Sequence, residues 1–327
     1  MIFDEPTAVL TIQEVETFFR QLRSLKNNGK TIIIITHKLS EVQEIADKVT
    51  VFRRGEVIGT YKTSDCSSRQ LSEMMVGRTI TPFEIRREKS KSDQQIMSIQ
   101  DLSLTVDGVK KLQNLKLSLK TNEIVGIAGV EGNGQSELLN CLIRPQMYKG
   151  QLTGSLKFKE ISTLDLSTNQ IRIMGLAFVP EDRITQGLAL DLTVEENFIL
   201  GHHKIKDFQS RGFFNFGKIR HMLDKGIESF DIRPPDRKVK VKTLSGGNQQ
   251  KLILSRELMT LPSLLVVAQP TRGVDIGASE KIHKHILNVK ENKGAVLMIS
   301  SDLEELLKLC DRLLVMFNGK FVGQFDF

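Results

Sequence analysis

Cysteine and long apolar segments are both scarce in this 327-residue chain. The three cysteines, Cys66, Cys141 and Cys310, are widely spaced, which excludes a disulfide framework or a metal-ligand spacing and favours a reducing compartment. The longest apolar run near the start, residues 32–35, is too short to cross a bilayer, and two acidic residues interrupt the place where a secretion signal would lie. Length and composition therefore predict a cytosolic protein with two globular domains.

Positive charge is concentrated in one segment. The formal net charge is +7, and residues 204–256 contain 13 Lys and Arg against 5 Asp and Glu. Such a segment could face nucleic acid, anionic lipid or an acidic protein, or it could be a solvated helical face without a partner. Aromatic residues do not alternate with the basic ones, which disfavours a single-strand nucleic-acid platform.

The chain contains an internal repeat, and its copies differ by a constant 264 positions. The matching blocks are residues 3–7 with 267–271, 34–37 with 298–301, 47–51 with 311–315, and Gly55 with Gly319. In the second copy, roughly 170 residues precede the strand that is equivalent to the start of the chain. We therefore expect the chain to open in the middle of a domain, either because it was cut or because translation begins there.

Helical and strand patterns alternate in both copies, which predicts an α/β layer fold. The predicted helices cover residues 14–25, 39–46 and 137–143, and the predicted strands cover 31–36, 97–106, 116–119, 123–128 and 173–179; residues 49–60 read as a hairpin, and 192–241 as helical with loops. Phe213, Phe214 and Phe216 are interpreted as core residues, or else as a hydrophobic docking face, in preference to a cofactor-binding cluster. His202, His203, His283 and His285 show no metal spacing and are interpreted as solvated helix positions.

A glycine-rich loop follows the strand at 123–128. It has the phosphate-loop spacing Gly-x-x-x-x-Gly-Lys-Ser, but Gln135 replaces the lysine. Backbone N–H groups of such a loop wrap phosphates, and the Ser136 hydroxyl can reach Mg²⁺. A glutamine donates only a neutral hydrogen bond, so we expect nucleotide binding that is weakened and turnover that is poor.

A second motif, Leu-Ser-Gly-Gly-Asn-Gln-Gln-Lys at residues 244–251, precedes a helical run. Exposed N–H groups at such a helix start favour an anion, although Ser-Gly-Gly alone is typical of a turn. An apolar strand then ends in Gln269-Pro270-Thr271. In this order the three motifs resemble the ATP-binding domain of ABC transporters, in which LSGGQ is the signature.

The resemblance implies an α/β fold of the P-loop NTPase ABC ATPase type, with a RecA-like core, an antiparallel β subdomain and a helical subdomain. It implies a C-terminal fragment of a first ATP-binding domain at 1–78, a linker at 79–95 that we expect to be mobile, and a second domain at 96–327. Three sequence motifs resemble those of tandem-domain importers of simple sugars and nucleosides. They are the glycine loop, Val-Pro-Glu-Asp-Arg at 179–183 and Gln-Pro-Thr-Arg-Gly-Val-Asp-Ile-Gly-Ala at 269–278.

The same resemblance implies that the two copies differ in catalytic competence. In the first copy Asp4 would hold Mg²⁺ through water, Glu5 would act as general base, and His37 would contact the terminal phosphate. The second copy has Ala268, Gln269 and Ser301 at these positions. We therefore expect the second copy to bind ATP rather than cleave it.

The family pattern implies a nucleotide-binding set in which two domains sandwich each ATP. Its members are Asp4, Gly129, Gly132, Asn133, Gly134, Gln135, Ser136, Glu137, Glu181, Ser245, Gly246, Gly247, Gln249, Gln269 and Asp275. Asp4 and Ser136 would serve Mg²⁺, and Glu181 replaces the usual Q-loop glutamine. Asp275 matches the D-loop aspartate, and it also suits a helix N-cap.

The implied function is that of the ATP-binding subunit of an importer. It would use ATP and Mg²⁺, associate peripherally with integral-membrane permease subunits at the cytoplasmic face, and serve a periplasmic or lipoprotein solute-binding protein indirectly, with no nucleic-acid partner. The alternatives are a tandem ATPase acting on ribosomes or nucleic acid, and an inert remnant. The sequence does not identify the solute, and we expect no ATP hydrolysis from this chain alone.

Overall fold

The computed structural model describes residues 1–7, 10, 12–53, 55–77, 79, 94–204, 208–210 and 213–327. The chain divides into two compact units: unit 1 comprises residues 1–84 with 275–277, and unit 2 comprises 85–274 with 278–327. Residues 80–93 of the predicted linker lie outside the described residues. Gln95, which was placed in that linker, is instead the first residue of a strand.

Unit 1 contains four strands and three helices in its described residues. They are β1 (Ile2–Asp4), α1 (Ile12–Asn27), β2 (Ile33–Ile35), α2 (Leu39–Ile45), β3 (Lys48–Arg53), β4 (Glu56–Lys62) and α3 (Ser68–Val76). β1 and β2 pair in parallel, and β3 and β4 form an antiparallel hairpin. The predicted alternation of helix and strand and the predicted hairpin are confirmed, with boundaries shifted by at most two residues.

Unit 2 is built on a six-stranded sheet and a four-stranded antiparallel sheet. Its strands are β5 (Gln95–Val106), β6 (Val109–Lys120), β7 (Ile124–Ala128), β8 (Leu152–Phe158), β9 (Ile161–Ser162), β10 (Leu176–Val179), β11 (Gln209–Ser210), β12 (Phe213–Phe214), β13 (Leu264–Ala268), β14 (Ala295–Ile299), β15 (Arg312–Phe317) and β16 (Lys320–Asp326). Its helices are α4 (Gln135–Ile143), α5 (Thr168–Ile173), α6 (Val194–Ile199), α7 (Phe216–Phe230), α8 (Gly246–Leu258), α9 (Ile276–Glu291) and α10 (Leu303–Leu309).

The six-stranded sheet has the order β10-β13-β14-β7-β15-β16, and only β16 runs antiparallel. Strands buried on both faces need apolar residues at every position, and β13 and β14 are fully buried along their length. Successive residues alternate between two clusters: Val267 packs in one and Val266 in the other. The sheet is therefore the centre of a two-sided core.

The repeat seen in the sequence is also a repeat of geometry. β1 pairs with β2 so that Asp4 faces Ile35, and β13 pairs with β14 so that Ala268 faces Ile299, which is the same register 264 positions later. The ion pair between Lys26 and Asp47 in unit 1 also has its counterpart in unit 2. Each hairpin carries a register shift at the equivalent position.

Two predictions inside unit 2 are wrong. The strand predicted for 173–179 begins only at Leu176, because Ile173 ends α5 and Gly175, with φ of +100°, forms the turn between them. Phe213 is 79% exposed, and Phe214 and Phe216 are also exposed, so they are not core residues. The short pair β11–β12 carries the first two of them on its surface, whereas Phe208 beside it is fully buried.

Two of the histidines also differ from expectation. His202 and His283 were interpreted as solvated, but both are buried. His283 Nε2 lies 2.8 Å from Glu305 Oε1, and His202 Nε2 lies 3.4 Å from Glu257 Oε2. Each imidazole therefore serves a buried carboxylate rather than solvent.

Candidate nucleotide site

The carboxyl ends of neighbouring parallel strands bring the predicted loops of unit 2 to one edge of the sheet. The glycine loop follows β7, Glu181 follows β10, and Gln269 follows β13. Crevices at this edge are the usual ligand sites of open α/β sheets. Here the edge bounds a cavity of about 570 Å³. Six predicted site residues line it: Gly129, Gly132, Gln135, Ser136, Glu181 and Gln269.

Glycine is required in the loop for two different physical reasons. Gly132 and Gly134 have φ of +87° and +109°, which side chains of L-residues rarely adopt. At Gly129 a Cβ would lie 2.5 Å from Gln135 Nε2 and 2.7 Å from the Met316 carbonyl oxygen. The loop can therefore close tightly and present backbone to a ligand.

Gln135, in place of the lysine of the phosphate-loop pattern, closes the loop on itself. Its Nε2 donates to the Val130 carbonyl at 3.0 Å, and its Oε1 accepts from the Asn133 N–H at 3.0 Å. The side chain is 6% exposed. The amide thus rigidifies the loop, and any hydrogen bond to a phosphate would have to replace one of these contacts.

Asn133 also acts within the loop. Its Nδ2 donates to the Val130 carbonyl at 2.8 Å, and its Oδ1 accepts from the Asn318 N–H at 2.9 Å. Glu137 lies in the first turn of α4, where the helix dipole favours a carboxylate. Both residues support the loop and helix and lie outside the cavity lining.

A hydroxyl and a carboxylate of the cavity lining are hydrogen-bonded to each other. Ser136 Oγ donates to Glu181 Oε2 at 2.8 Å. The neighbouring Asp182 also lines the cavity, and hydrogen bonds from the Thr185 hydroxyl and from backbone N–H groups lower its pKa. Hard oxygen ligands of this kind suit Mg²⁺.

Two arginines in the cavity lining were missed as site residues. Arg183 Nη1 donates to the Arg272 carbonyl at 3.4 Å, and its Nε is buried without a hydrogen-bond partner among the described residues. Arg272 Nη1 lies 3.5 Å from Glu131 Oε1. Position 135 supplies no positive charge, so these guanidinium groups are the cations of the lining. Arg183 comes three residues after Pro180 and Arg272 two residues after Pro270, and each proline closes a predicted strand, so the sequence contains a shared pattern that could have marked both arginines.

The signature segment lies close to one of these arginines. A Cβ at Gly246 would lie 2.5 Å from Arg183 Nη2, and one at Gly247 would lie 3.1 Å from the Gly273 carbonyl oxygen. Ser245 is the N-cap of α8, but its Oγ accepts from Asn248 Nδ2 and does not cap the helix backbone. The glycines leave room for the guanidinium.

The remaining predicted residues of this segment lie outside the cavity lining. Gln249 is buried, and its Nε2 donates to the carbonyls of Val241 and Leu244 at 3.3 Å, so it holds the turn before α8. Asp275 immediately precedes α9, as an N-cap would. A role of both residues in binding nucleotide stays a prediction.

The positions predicted to be catalytic have a similar backbone conformation in the two copies and different side chains. In unit 1, Glu5 has φ of +43°, and its Oε1 lies 2.9 Å from His37 Nδ1. In unit 2, Gln269 has φ of +47°, and its Oε1 accepts from the Ser301 N–H at 3.1 Å and from its hydroxyl at 3.2 Å. A carboxylate and imidazole are thus replaced by an amide and hydroxyl. Asp4 is exposed at the end of β1.

Comparisons with known proteins agree with this geometry. Residues 112–272 match the family model described as ABC transporter. These residues form an ABC transporter domain. The nucleoside import ATP-binding protein NupA of Lactococcus lactis is 38% identical over 99% of this chain and 63% of its own length, and the glucose import ATP-binding protein TsgD13 of Haloferax volcanii is 41% identical over 98% and 58%. The chain thus spans about three fifths of these relatives.

Solved structures show the fold. The ATP-binding cassette MJ0796, in its dimeric structure bound to ADP and Pi, has a TM-score of 0.60 and 23% identity over 71% of this chain and 98% of its own. The predicted ABC ATPase fold class is confirmed. Across the described residues, no helix is long and apolar enough to span a bilayer.

The residues of the cavity fit a magnesium nucleotide. The glycine loop forms a cradle that Cβ atoms would fill, two arginines supply positive charge, and Ser136 with Glu181 supplies oxygen ligands. Members of the ABC ATPase family bind ATP, normally with Mg²⁺. Phosphate recognition by glycine-loop backbone is the physical basis of that binding.

Proposed function

We propose that unit 2 binds Mg-ATP and that the chain acts as the ATP-binding subunit of an importer for simple sugars or nucleosides. The observation that carries the proposal is the glycine loop in the lining of the cavity, with Ser136 hydrogen-bonded to Glu181. The relatives named for nucleoside and glucose import support the solute classes.

Charge in this site is supplied differently from the usual phosphate loop. Arg183 and Arg272 would neutralise the phosphates, while the Gln135 amide keeps the loop closed. The Ser136 hydroxyl would hold Mg²⁺, and Glu181 would orient that hydroxyl. Bound Mg²⁺ would supply charge neutralisation at the terminal phosphates.

Binding without efficient cleavage follows from Gln269. Its neutral amide cannot accept a proton from water, whereas Glu5 can. We propose that Glu5 and His37 serve as general base and phosphate contact, with Asp4 for Mg²⁺, in a site for which this chain supplies only part of the residues. The chain alone would then release no phosphate above background.

The exposed phenylalanines are proposed as the surface that meets an integral-membrane permease subunit. Phe214 and Phe216 pack edge to face with ring centres 6.0 Å apart, and Arg220 lies 5.6 Å from the Phe216 ring centre. Apolar side chains exposed together mark an interaction site. Association would be peripheral and on the cytoplasmic face, and a periplasmic or lipoprotein solute-binding protein would act through the permease.

Nucleotide affinity tests the proposal. Displacement of a fluorescent ATP analogue should show saturable binding of Mg-ATP to the chain. Arg183→Gln removes charge-assisted hydrogen bonds worth about 1.5–3 kcal/mol, so the dissociation constant should rise about 10- to 150-fold. Arg220→Gln is the matched control, because Arg220 is half exposed and pairs with Glu195 away from the cavity. Equal affinity of the two variants, or no saturable binding by the wild type, would contradict the proposal.

A further inference from the structure

The two sheets of unit 1 correspond to parts of one sheet in unit 2. In unit 2, β7 lies between β14 and β15 and pairs in parallel with both. Shifted by 264 positions, β14 and β15 become β2 and β3. Among the described residues of unit 1, β2 pairs only with β1, and β3 only with β4, so both present a free edge.

A cavity of about 840 Å³ lies at these edges, within unit 1. Its lining includes Ile33, Ile34 and Ile35 from β2 and Val49, Thr50 and Val51 from β3. In a sheet, strands on either side of a third strand are separated by about 9.5 Å. Edge strands with open hydrogen-bonding groups are templates for another strand.

The exposure of β2 shows that its surroundings are incomplete. Ile33 and Ile35 are 53% and 52% exposed, whereas their counterparts in unit 2, Leu297 and Ile299, are 0% and 5% exposed. β2 consists of three isoleucines in a row, and a run of apolar β-branched residues is suited to a strand that is buried on both faces.

We propose that the slot between β2 and β3 binds an apolar β-strand of about five residues from a second polypeptide segment, in parallel with both edges. This is strand addition, in which main-chain hydrogen bonds give affinity and side-chain pockets give selectivity. The occupant has the chemistry of β7, Ile-Val-Gly-Ile-Ala, because the same repeat surrounds that strand in unit 2.

The side chains that line the slot also determine which residue type can occupy the centre of the bound strand. In unit 2 a Cβ at Gly126 would lie 2.6 Å from Cys310 Sγ and 3.0 Å from both Leu306 Cδ2 and Leu313 Cδ1, so a side chain there would force these neighbours to move. The counterparts in unit 1 are Ala46, Val42 and Val49, which are all smaller and which all line the slot. The third residue of the bound strand can therefore carry a side chain.

A peptide with the sequence of residues 123–131 is the direct probe, because its terminal glutamates keep it soluble. Fluorescence anisotropy with the full chain should show saturable binding below about 1 mM. The peptide with alanine in place of Gly126 should bind about 2- to 5-fold more tightly, since it has less chain entropy to lose. The peptide with proline in place of Ile127 should not bind, because proline removes a ladder N–H.

The location is tested on the protein. Ala46→Phe fills the slot and should weaken peptide binding at least about tenfold, whereas Ser40→Phe, on the exposed side of α2, should not. Hydrogen exchange should show new protection of β2 and β3 when peptide is added to the wild type. The proposal is wrong if the proline peptide binds as well as the parent, if protection appears elsewhere, or if the chain dimerises through this edge and excludes the peptide.

Discussion

Unit 1 and the matching part of unit 2 share strand register, helix positions and even an ion pair, yet they bury their strands to very different extents. β13 and β14 are fully buried, whereas Ile33 and Ile35 of β2 are half exposed. The difference lies in what surrounds the repeat: unit 2 adds β7 between the two halves and a four-stranded sheet over one face. Local sequence therefore determines the elements, and the added layers determine the core.

The largest expected effect is on the unfolding free energy of unit 2. It concerns a buried ion cluster around Glu257 of α8, a helix without a counterpart in unit 1. Glu257 is fully buried; Arg172 Nη1 lies 2.8 Å and Arg256 Nε 3.0 Å from its oxygens. Glu257→Gln leaves buried guanidinium charge unpaired and should lower the unfolding free energy of unit 2 by about 3–5 kcal/mol. Urea-dependent hydrogen exchange resolves the two units. The control Glu44→Gln, in an exposed pair with Arg23, should cost under about 1 kcal/mol, and equal losses would contradict this assignment.

The same cluster predicts a pH dependence for unit 2. Burial would raise the pKa of Glu257, but the guanidinium groups of Arg172 and Arg256 outweigh it and hold the pKa well below its ordinary value of 4.5. Because the folded-state pKa is depressed, the contribution of this carboxylate is complete above pH 4.5 and is lost as the pH falls below it. The difference in unfolding free energy between the wild type and Glu257→Gln should therefore narrow as the pH is lowered from 7 to about 3. A constant gap would show that another group dominates.

Two phenylalanines of unit 2, Phe208 and Phe213, lie close in sequence but differ in burial. Phe208→Ala removes a fully buried ring and should cost about 3–5 kcal/mol. Phe213→Ala removes a ring that is 79% exposed and should change stability by under about 0.5 kcal/mol. Chemical denaturation of both variants is the measurement. A large loss from Phe213→Ala would restore the core interpretation.

Much of the fold follows from short-range pattern in the sequence. The apolar run of β13, the glycine loop and the constant 264-residue offset predicted a buried strand, a phosphate-binding loop and a second copy of the same elements. Gln135 was recognised as a replacement, but its bonds to Val130 and Asn133 depend on the closed loop. Arg183 bonds to the Arg272 carbonyl 89 residues away and Glu257 to Arg172 85 residues away, and no local pattern reports such contacts. Exposure of Phe213 likewise depends on what packs nearby.

The smallest expected effect compares Glu5 and Gln269, the equivalent positions of the two units. Gln269→Glu places a carboxylate in the cavity beside the phosphates and should weaken Mg-ATP binding about 3- to 10-fold. Glu5→Gln makes the reverse change at the equivalent position in unit 1 and should leave that affinity unchanged. Titration of both variants with the fluorescent ATP analogue checks the pair. An affinity change of the same size in both would mean that the cavity in unit 2 is not the nucleotide site.

The most direct test of a site that binds without cleaving is a combined measurement of Mg-ATP stoichiometry and phosphate release on the wild-type chain. We expect one Mg-ATP per chain at or below about millimolar concentration, with phosphate release no faster than the protein-free blank. Failure to bind at that concentration, or phosphate release that disappears in Glu5→Gln or Gln269→Leu, would contradict the account.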